Sequence, residues 1–189
     1  ASGLGKGMAT RFAEKGARLS LADMDGENLA RFAEELRARN VQVLTTVLDV
    51  RDGEAVERFA EQTFVVFGGV DYCINNAGVH SMGSIWKIPA EEWRKVFEIN
   101  VMGIVHGIRA FVPRMMAQDK ECCIINTASN AGLQVNTAIA PYAMSKHAAV
   151  SVTESLAVEL QTVKSKIKAF VLLTLIPEIL AASSLPPRA

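Results

Sequence analysis

The sequence opens with ASGLGKGMATRFAEKGARLSLAD, residues 1–23, in which a glycine-rich turn leads into a helix and then into a short strand. Backbone amides at a helix start attract phosphate, and glycines let a ligand approach the backbone. Asp23 follows Gly3 by about 20 residues, the spacing at which a carboxylate accepts hydrogen bonds from ribose hydroxyls. The stretch therefore predicts a dinucleotide site. Its predicted contacts are Ser2, Gly3, Leu4, Gly5 and Asp23.

The charge of Asp23 bears on which dinucleotide is bound. A carboxylate at this place repels the 2′-phosphate of NADP, so NAD is favoured over NADP. Lys6 is the neighbouring cation that can instead receive such a phosphate, and a solvated lysine on the helix face is the alternative. Without Asp23, a glycine-rich helix start that binds no ligand would explain the glycines equally well.

Outward from this stretch, apolar residues alternate between helical spacing and the short runs typical of buried strands. The predicted helices lie within Gly3–Gly16, Asn28–Arg39, Glu54–Phe67, Glu91–Met116 and Tyr142–Val163. The predicted strands are Arg18–Ala22, Val41–Val50, Val70–Ile74, Cys122–Asn126 and Ile167–Ile176, the last ended by Pro177. Such alternation implies right-handed crossovers and a mostly parallel sheet with helices on both faces. We predict a doubly wound α/β fold, as a single domain over residues 1–189.

Composition excludes several classes of function. The chain has 20 Lys and Arg against 20 Asp and Glu, without a basic cluster, which argues against nucleic-acid binding. The apolar stretch Ala169–Ile176 is too short to span a membrane. The three cysteines form neither a disulfide framework nor a metal site, which is typical of a reducing compartment. We expect a cytoplasmic protein that binds no metal, nucleic acid or membrane.

Tyr142 and Lys146 stand four residues apart in a predicted helix, so their side chains share a face. A nearby ammonium stabilises a phenolate and lowers the tyrosine pKa toward the range useful for proton transfer. Ser129 lies just beyond the strand that ends at Asn126, in a loop where an α/β sheet places its ligands. Its hydroxyl can donate a hydrogen bond to a substrate oxygen.

Several features in this order resemble the short-chain dehydrogenase/reductase family in its compact, single-domain form, which has a Rossmann-like fold. The resemblance runs from Gly3 to Pro177. The features are Gly3-x-Gly5, Asp49, Asn75-Asn76-Ala77-Gly78, Asn100, Ser129 and Tyr142-Ala-Met-Ser-Lys146.

The resemblance implies an oxidoreductase that transfers a hydride between NAD(H) and a secondary alcohol or its carbonyl. Tyr142 would be the general acid/base, and Lys146 would lower its pKa and hold the nicotinamide ribose. Ser129 would orient the substrate oxygen. Asn100 would bind, through its backbone carbonyl, a water that links Lys146 to a proton relay. The implied cofactor contacts are Asp49, Val50, Asn76, Ala77, Gly78, Tyr142, Lys146 and Pro177.

The chain departs from the family pattern at both ends. The family's first strand and its Thr-Gly would precede Ala1, so we expect the sequence to be an incomplete record of a longer chain. Pro177-Glu178 stands where the family generally has Pro-Gly. These departures motivate a second hypothesis, a non-catalytic sensor or assembly subunit that binds a dinucleotide.

Surface features suggest assembly and a place for the substrate. The apolar cover of Glu91–Met116 and the small residues Ala148, Ala149, Ser155 and Ala157 predict helices that pack against a partner subunit. The family resemblance implies that this assembly is a homodimer or homotetramer. His80 is a candidate substrate contact. Met82, Ile85, Trp86 and Trp93 can form an apolar pocket wall, and core packing explains them equally well.

Overall fold

Helices and parallel strands alternate along residues 1–174, which are the residues that the computed structural model describes. The helices are α1 Gly3–Glu14, α2 Gly26–Arg37, α3 Gly53–Phe67, α4 Ala90–Phe97, α5 Gly103–Ala117 and α6 Ala140–Thr162. The strands are β1 Leu19–Asp23, β2 Val43–Val47, β3 Tyr72–Asn75, β4 Cys122–Thr127 and β5 Ile167–Leu172. The predicted α/β class is confirmed.

Local polar residues set where helices begin and end. The Asp25 carboxylate accepts a hydrogen bond from the Asn28 amide at 3.0 Å and starts α2. Asp52 caps α3 in the same way through the Ala55 amide at 2.9 Å. Gly68 ends α3 with a φ of 73°, a conformation that glycine adopts without the steric cost of a Cβ. Each device satisfies backbone groups that a helix end leaves unpaired.

The strands form two parallel sheets rather than one. β1 pairs with β2, and the second sheet has the order β3-β4-β5. Within residues 1–174 no backbone hydrogen bonds join β1 to β3. Phe12 of α1 packs against Tyr72 of β3 instead, with ring centroids 5.2 Å apart. The expected strand before Ala1 is not tested by these residues and stays a prediction.

Each sheet has its own apolar core. Residues of α1, β1 and α2 pack around Phe32 and Leu36. The larger core joins α3, α5 and α6 to the second sheet around Phe111, Met115 and Ile124. Ala149 of α6 packs with Ile104 and Ala128 in a third cluster. Its expected place on a partner-facing surface is therefore wrong.

One predicted helix is interrupted. The sequence predicts a continuous helix over Glu91–Met116, but a π-helical turn at Glu98–Met102 separates α4 from α5. Elsewhere the described helices and strands lie where they were expected, with ends shifted by a few residues. The last strand ends at Leu172, two residues short of Thr174, the last described residue. The rest of its predicted range and Pro177 lie outside the described residues.

Two sequence expectations about ligands and membranes can be compared with residues 1–174. No group of three or more His, Cys, Asp and Glu side chains among them is placed to hold a metal ion. The continuous segment Ala90–Ala117 is long and apolar enough to cross a bilayer by length and composition alone. Half of its most apolar stretch of 18 residues is buried inside the protein, as in the core helix of a folded domain. The segment is therefore weak evidence for a membrane span.

Candidate active site

Tyr142 and Lys146 lie one turn apart near the start of α6, which opens at Ala140 with Pro141 in its first turn. Proline fits there because its missing N–H would have no helical partner. Both side chains are almost wholly buried, and Lys146 Nζ lies 5.5 Å from the centroid of the Tyr142 ring. The structure thus brings the predicted pair together.

The Lys146 ammonium is held by the backbone of β4. Its Nζ donates a hydrogen bond to the carbonyl oxygen of Thr127, the last residue of the strand, at 2.8 Å. Burial lowers the pKa of Lys146 to about 8, because removal from water disfavours the charged form. The side chain therefore stays mostly protonated at neutral pH.

Ser129 follows β4 and is completely buried. Its Oγ caps the 3₁₀ turn Asn130–Gly132 by accepting a hydrogen bond from the Ala131 amide at 3.2 Å. Burial raises the pKa of Tyr142, and the Ser129 hydroxyl acts in the opposite direction as a hydrogen-bond partner. This rise in the Tyr142 pKa is opposite to the lowering that the sequence predicted, since desolvation outweighs the interactions that stabilise the phenolate.

Asn100 lies in the π-helical turn Glu98–Met102, a rare geometry that is frequent at functional sites. The buried side chain fastens the loop after β3, because its Oδ1 accepts from the Val79 amide and its Nδ2 donates to the Val79 carbonyl, each at 2.8 Å. The side chain is therefore fully engaged. The water contact that the resemblance implies would therefore be made by the backbone carbonyl of Asn100, and it stays a prediction.

Ser145 is a residue that sequence reasoning missed, although it stands inside the quoted Tyr142–Lys146 motif. Its buried Oγ accepts a hydrogen bond from Asn100 Nδ2 at 2.9 Å and donates one to the Tyr142 carbonyl at 2.7 Å. It therefore connects the π-helical turn to the helix that carries the phenol. The sequence signal for Ser145 is limited to a small polar side chain between Tyr142 and Lys146.

The glycine-rich turn lies at the start of α1, as predicted. Ser2 precedes the helix without capping it by a side-chain hydrogen bond, and the first turn holds no acidic residue. The first-turn amides can therefore face an anion. Gly3 has a φ of 52°, where a Cβ would be strained, and a Cβ on Gly5 would lie 2.9 Å from Asn76 Nδ2. Ser2, Gly3 and Leu4 are exposed.

Asp23 ends β1 and lies next to this turn. Its carboxylate accepts a hydrogen bond from the Asp25 amide at 2.9 Å. Lys6, the cation considered for a 2′-phosphate, pairs with Glu35 at 2.8 Å and lies 4.7 Å from the Phe32 ring centroid. The Lys6 ammonium thus already has a carboxylate partner.

Asp49 and Val50 follow β2. Both Asp49 oxygens accept hydrogen bonds from Arg51, whose guanidinium holds the pKa of Asp49 below its usual range. The Val50 carbonyl bonds His106 Nδ1 at 2.8 Å, and its side chain packs on Gly103 at the start of α5. The adenine contact predicted for these two residues stays a prediction.

Asn76, Ala77 and Gly78 connect the two halves of the site. Asn76 lies against Gly5 on one side, and its Oδ1 accepts a hydrogen bond from Thr127 Oγ1 at 3.2 Å on the other. A Cβ on Gly78 would lie 3.5 Å from Lys146 Nζ. A continuous series of contacts therefore runs from the glycine-rich turn to the buried lysine. The residues present fit a dinucleotide, while Pro177, a further predicted contact, lies outside the described residues.

Two loops border the catalytic residues, one of residues 79–89 and one of residues 133–139. A cavity of about 350 Å³ lies between the first loop and the start of α4, and none of the predicted catalytic residues lines it. His80 is exposed in this loop. In the second loop Asn136 Nδ2 is buried with no hydrogen-bond partner among the described residues, a feature the sequence did not single out.

Comparisons with known proteins identify the family. The profile of the family described as short chain dehydrogenase matches residues 1–174. The chain is 42% identical over 165 residues to 1-deoxy-11-beta-hydroxypentalenate dehydrogenase of Streptomyces exfoliatus, covering 85% of this chain and 59% of that protein.

Solved structures give the same result. A short chain dehydrogenase/reductase from Burkholderia phymatum in complex with NAD matches with a TM-score of 0.90 and 38% identity, over 92% of this chain and 62% of that one. L-Sorbose reductase from Gluconobacter frateurii, complexed with NADPH and L-sorbose, matches with a TM-score of 0.84 and 32% identity, over 90% and 64% of the two chains. The chain thus spans less than two thirds of these relatives. By its fold, its site residues and these matches, the chain belongs to the short-chain dehydrogenase/reductase family of oxidoreductases.

Proposed function

We propose that the protein interconverts a secondary alcohol and its carbonyl compound with NAD(H), using Tyr142 as the general acid/base. The observation that carries this proposal is the meeting of three side chains from different parts of the chain. Ser129, Tyr142 and Lys146 converge in one buried place at the carboxyl end of β4. Ligands of open α/β sheets bind at this end of the strands.

The phenol of Tyr142 moves the proton. Because burial raises its pKa, the group is protonated at neutral pH and can donate to the oxygen of a carbonyl substrate during reduction. During oxidation it accepts the proton of the alcohol. The adjacent Lys146 ammonium favours the phenolate that forms after proton donation. The nicotinamide, when bound, accepts or supplies the hydride.

Ser129 and Asn100 support this proton transfer from two sides. Ser129 orients the substrate oxygen toward the phenol, since its hydroxyl is fixed at the cap of the 3₁₀ turn. Asn100 fixes the loop that carries Gly78 next to the Lys146 ammonium. The backbone carbonyl of Asn100 is proposed to bind the water that returns protons to Lys146 from solvent.

NAD is the proposed dinucleotide. The half-buried carboxylate of Asp23 repels a 2′-phosphate, and Lys6, the neighbouring cation, lies in a surface ion pair with Glu35. The relatives support both possibilities, because one solved structure contains NAD and another contains NADPH. Binding titrations with NADH and NADPH, followed by nicotinamide fluorescence, decide between them, and tighter binding of NADPH would refute this part.

The decisive variant is Tyr142→Phe. It removes only the phenolic hydroxyl, so NADH binding should persist while turnover falls by at least about 10²-fold, the usual contribution of a positioned acid/base. Tyr72→Phe is the matched control, because Tyr72 is the chain's other tyrosine and is half exposed on β3. The protein should be assayed with alcohols and carbonyls at the NADH absorbance band.

Two results would contradict the proposal. Full activity of Tyr142→Phe would remove the phenol from the mechanism. Dinucleotide binding without turnover of any alcohol or carbonyl would favour the second hypothesis, a non-catalytic sensor or assembly subunit.

A further inference from the structure

Two loops beside the catalytic residues carry large apolar side chains on their surface. One loop, residues 79–89, joins β3 to α4, and the other, residues 133–139, joins the 3₁₀ turn to α6. Trp86 is 81% exposed and Val135 is 84% exposed. We call the exposed apolar residues of these loops the apolar wall, which consists of Met82, Ile85, Trp86, Leu133 and Val135.

Both loops begin at residues of the active site. The first starts at Val79, which Asn100 holds and which follows Gly78 beside the Lys146 ammonium. The second starts at Leu133, directly after the turn that Ser129 caps. It ends at Ile139, which is buried in one cluster with Tyr142.

The two loops are also joined to each other. The Gly83 amide donates a hydrogen bond to the Ala138 carbonyl at 2.9 Å. This bond links loops that reach the site from different strands. The two loops that carry the apolar wall are therefore held together beside the predicted catalytic residues.

The loops carry little charge, and their uncharged polar side chains are His80, Ser81, Ser84, Gln134, Asn136 and Thr137. Lys87 is the only Lys, Arg, Asp or Glu in residues 79–89, and residues 133–139 contain none. A sugar or polyol needs many paired donors and acceptors, since each hydroxyl buried without a partner weakens binding. Exposed apolar patches near a pocket mark binding sites, and such pockets are lined mainly by apolar groups.

From these observations we propose that the substrate has its secondary alcohol or ketone on a bulky, largely apolar carbon skeleton that packs against the apolar wall. This inference rests on the oxidoreductase function proposed above. Met82, Ile85, Trp86, Leu133 and Val135 act as specificity-determining residues, whereas Ser129 and Tyr142 contact only the reacting oxygen.

Three alcohols test the proposal with full-length protein and NAD. Cyclohexanol, decahydro-2-naphthol and inositol each present a secondary alcohol on a six-membered ring. A second apolar ring should raise kcat/KM at least about tenfold over cyclohexanol, since each methylene in an apolar pocket is worth that factor or more. Inositol should react more slowly than cyclohexanol, because its additional hydroxyls find no partners on the apolar wall.

Variants connect this selectivity to the apolar wall. Trp86→Ser and Val135→Ser should lower the ratio of kcat/KM for decahydro-2-naphthol to that for cyclohexanol, each by about tenfold. Both side chains are exposed, so the variants should fold, which a thermal melt checks. Val65→Ser is the matched control, because Val65 is comparably exposed on α3, outside both loops, and should leave the ratio unchanged.

The outcomes separate this inference from the function on which it rests. Turnover of none of the alcohols or their ketones, with either dinucleotide, would refute the proposed function. Turnover with inositol preferred would overturn the inference and leave the function standing. An unchanged ratio in both Trp86→Ser and Val135→Ser would also overturn it, and if self-association changed in those variants, the apolar wall would be a protein contact.

Discussion

Lys146 keeps an ionisable amino group inside the protein, where it affects stability as well as chemistry. Its pKa falls from 10.5 to about 8 because burial disfavours the charge. Between these two values the unfolded chain binds more protons than the folded one, so stability rises with pH in this range. Below about pH 8 the unfavourable burial of the charge is fully present.

Lys146→Met is expected to show this effect. The variant keeps the apolar stem without the charge, so at pH 7 it should be at least as stable as the parent, while turnover falls. Its advantage in the free energy of unfolding should shrink from pH 8 to pH 10 as the parent lysine loses its proton. Chemical denaturation at several pH values measures both quantities. The exposed Lys168→Met serves as control, and a pH-independent difference for Lys146→Met would contradict the prediction.

For individual residues, the sequence predicted that Tyr142 and Lys146 meet, but it did not predict how burial changes the pKa of Tyr142. The spacing of Tyr142 and Lys146 was sufficient to place both on one helix face. The raised pKa of Tyr142 depends on how completely the surrounding chain covers the ring, which no spacing reveals. The bonds of Ser145 to Asn100 and to the Tyr142 carbonyl depend on contacts distant in sequence, so they too were missed.

A chain of buried side chains connects β3, β4 and α6. Asn75 Nδ2 donates to Asn126 Oδ1 at 2.8 Å, and Asn126 Nδ2 donates to Thr153 Oγ1 at 2.9 Å. Thr153 lies two turns after Lys146, whose Nζ bonds the carbonyl of the residue next to Asn126. β4 therefore holds α6 at two points along the helix.

Removing the Thr153 hydroxyl should weaken this connection. Thr153→Val leaves Asn126 Nδ2 buried without a partner, which should lower the free energy of unfolding by about 1–3 kcal/mol. Thr153→Ser should restore most of the loss. Thr162→Val is the control, since Thr162 bonds only the Val158 carbonyl of its own exposed helix face. Urea denaturation measures all three variants, and equal losses in Thr153→Val and Thr162→Val would contradict the explanation.

The helices and strands were largely predictable, because their apolar spacing is regular and their caps are local. The π-helical turn at Glu98–Met102 was not predictable from the sequence. Apolar residues continue through this turn. The spacing of apolar residues therefore cannot distinguish a π-helical turn, which contains one more residue, from a turn of α-helix. This turn holds Asn100, so the least predictable part of the helix carries a candidate functional residue.

Apolar side chains remain exposed on the helices that were expected to meet a second copy. Val158 and Met144 of α6 and Phe97 of α4 are partly or largely exposed. α4 and α6 contact each other, so these residues belong to one helical layer. We predict that this layer forms the contact of a homodimer or homotetramer.

A charge on this layer should break the assembly. Val158→Glu places a carboxylate in an apolar contact, where its desolvation opposes association. The variant should sediment as a smaller species than the parent at the same concentration. Val65→Glu on α3 is the control, because it adds the same charge at another largely exposed valine outside the layer. A monomeric parent protein at micromolar concentration would contradict the prediction.

For the whole molecule, alternation of helices and strands was enough to predict the fold class. It was not enough to predict which strands are neighbours, since hydrogen bonding between strands distant in sequence leaves no local pattern. The positions of Asp23 at the end of β1 and of Asn76 directly after β3 were predictable, whereas their contacts with a dinucleotide stay a prediction. The polarity of the loops was visible in the sequence, whereas their connection through Gly83 and Ala138 was not.

The oxygen that holds the Lys146 ammonium belongs to the main chain of Thr127. Every amino acid at position 127 supplies the same oxygen, so no replacement of that side chain can delete this particular bond. Loss of the lysine's anchor would require displacement of the strand itself. The proposed catalytic geometry is therefore more tolerant of inherited point changes at this partner than at Ser129 or Tyr142, where a single codon change removes the group proposed to react.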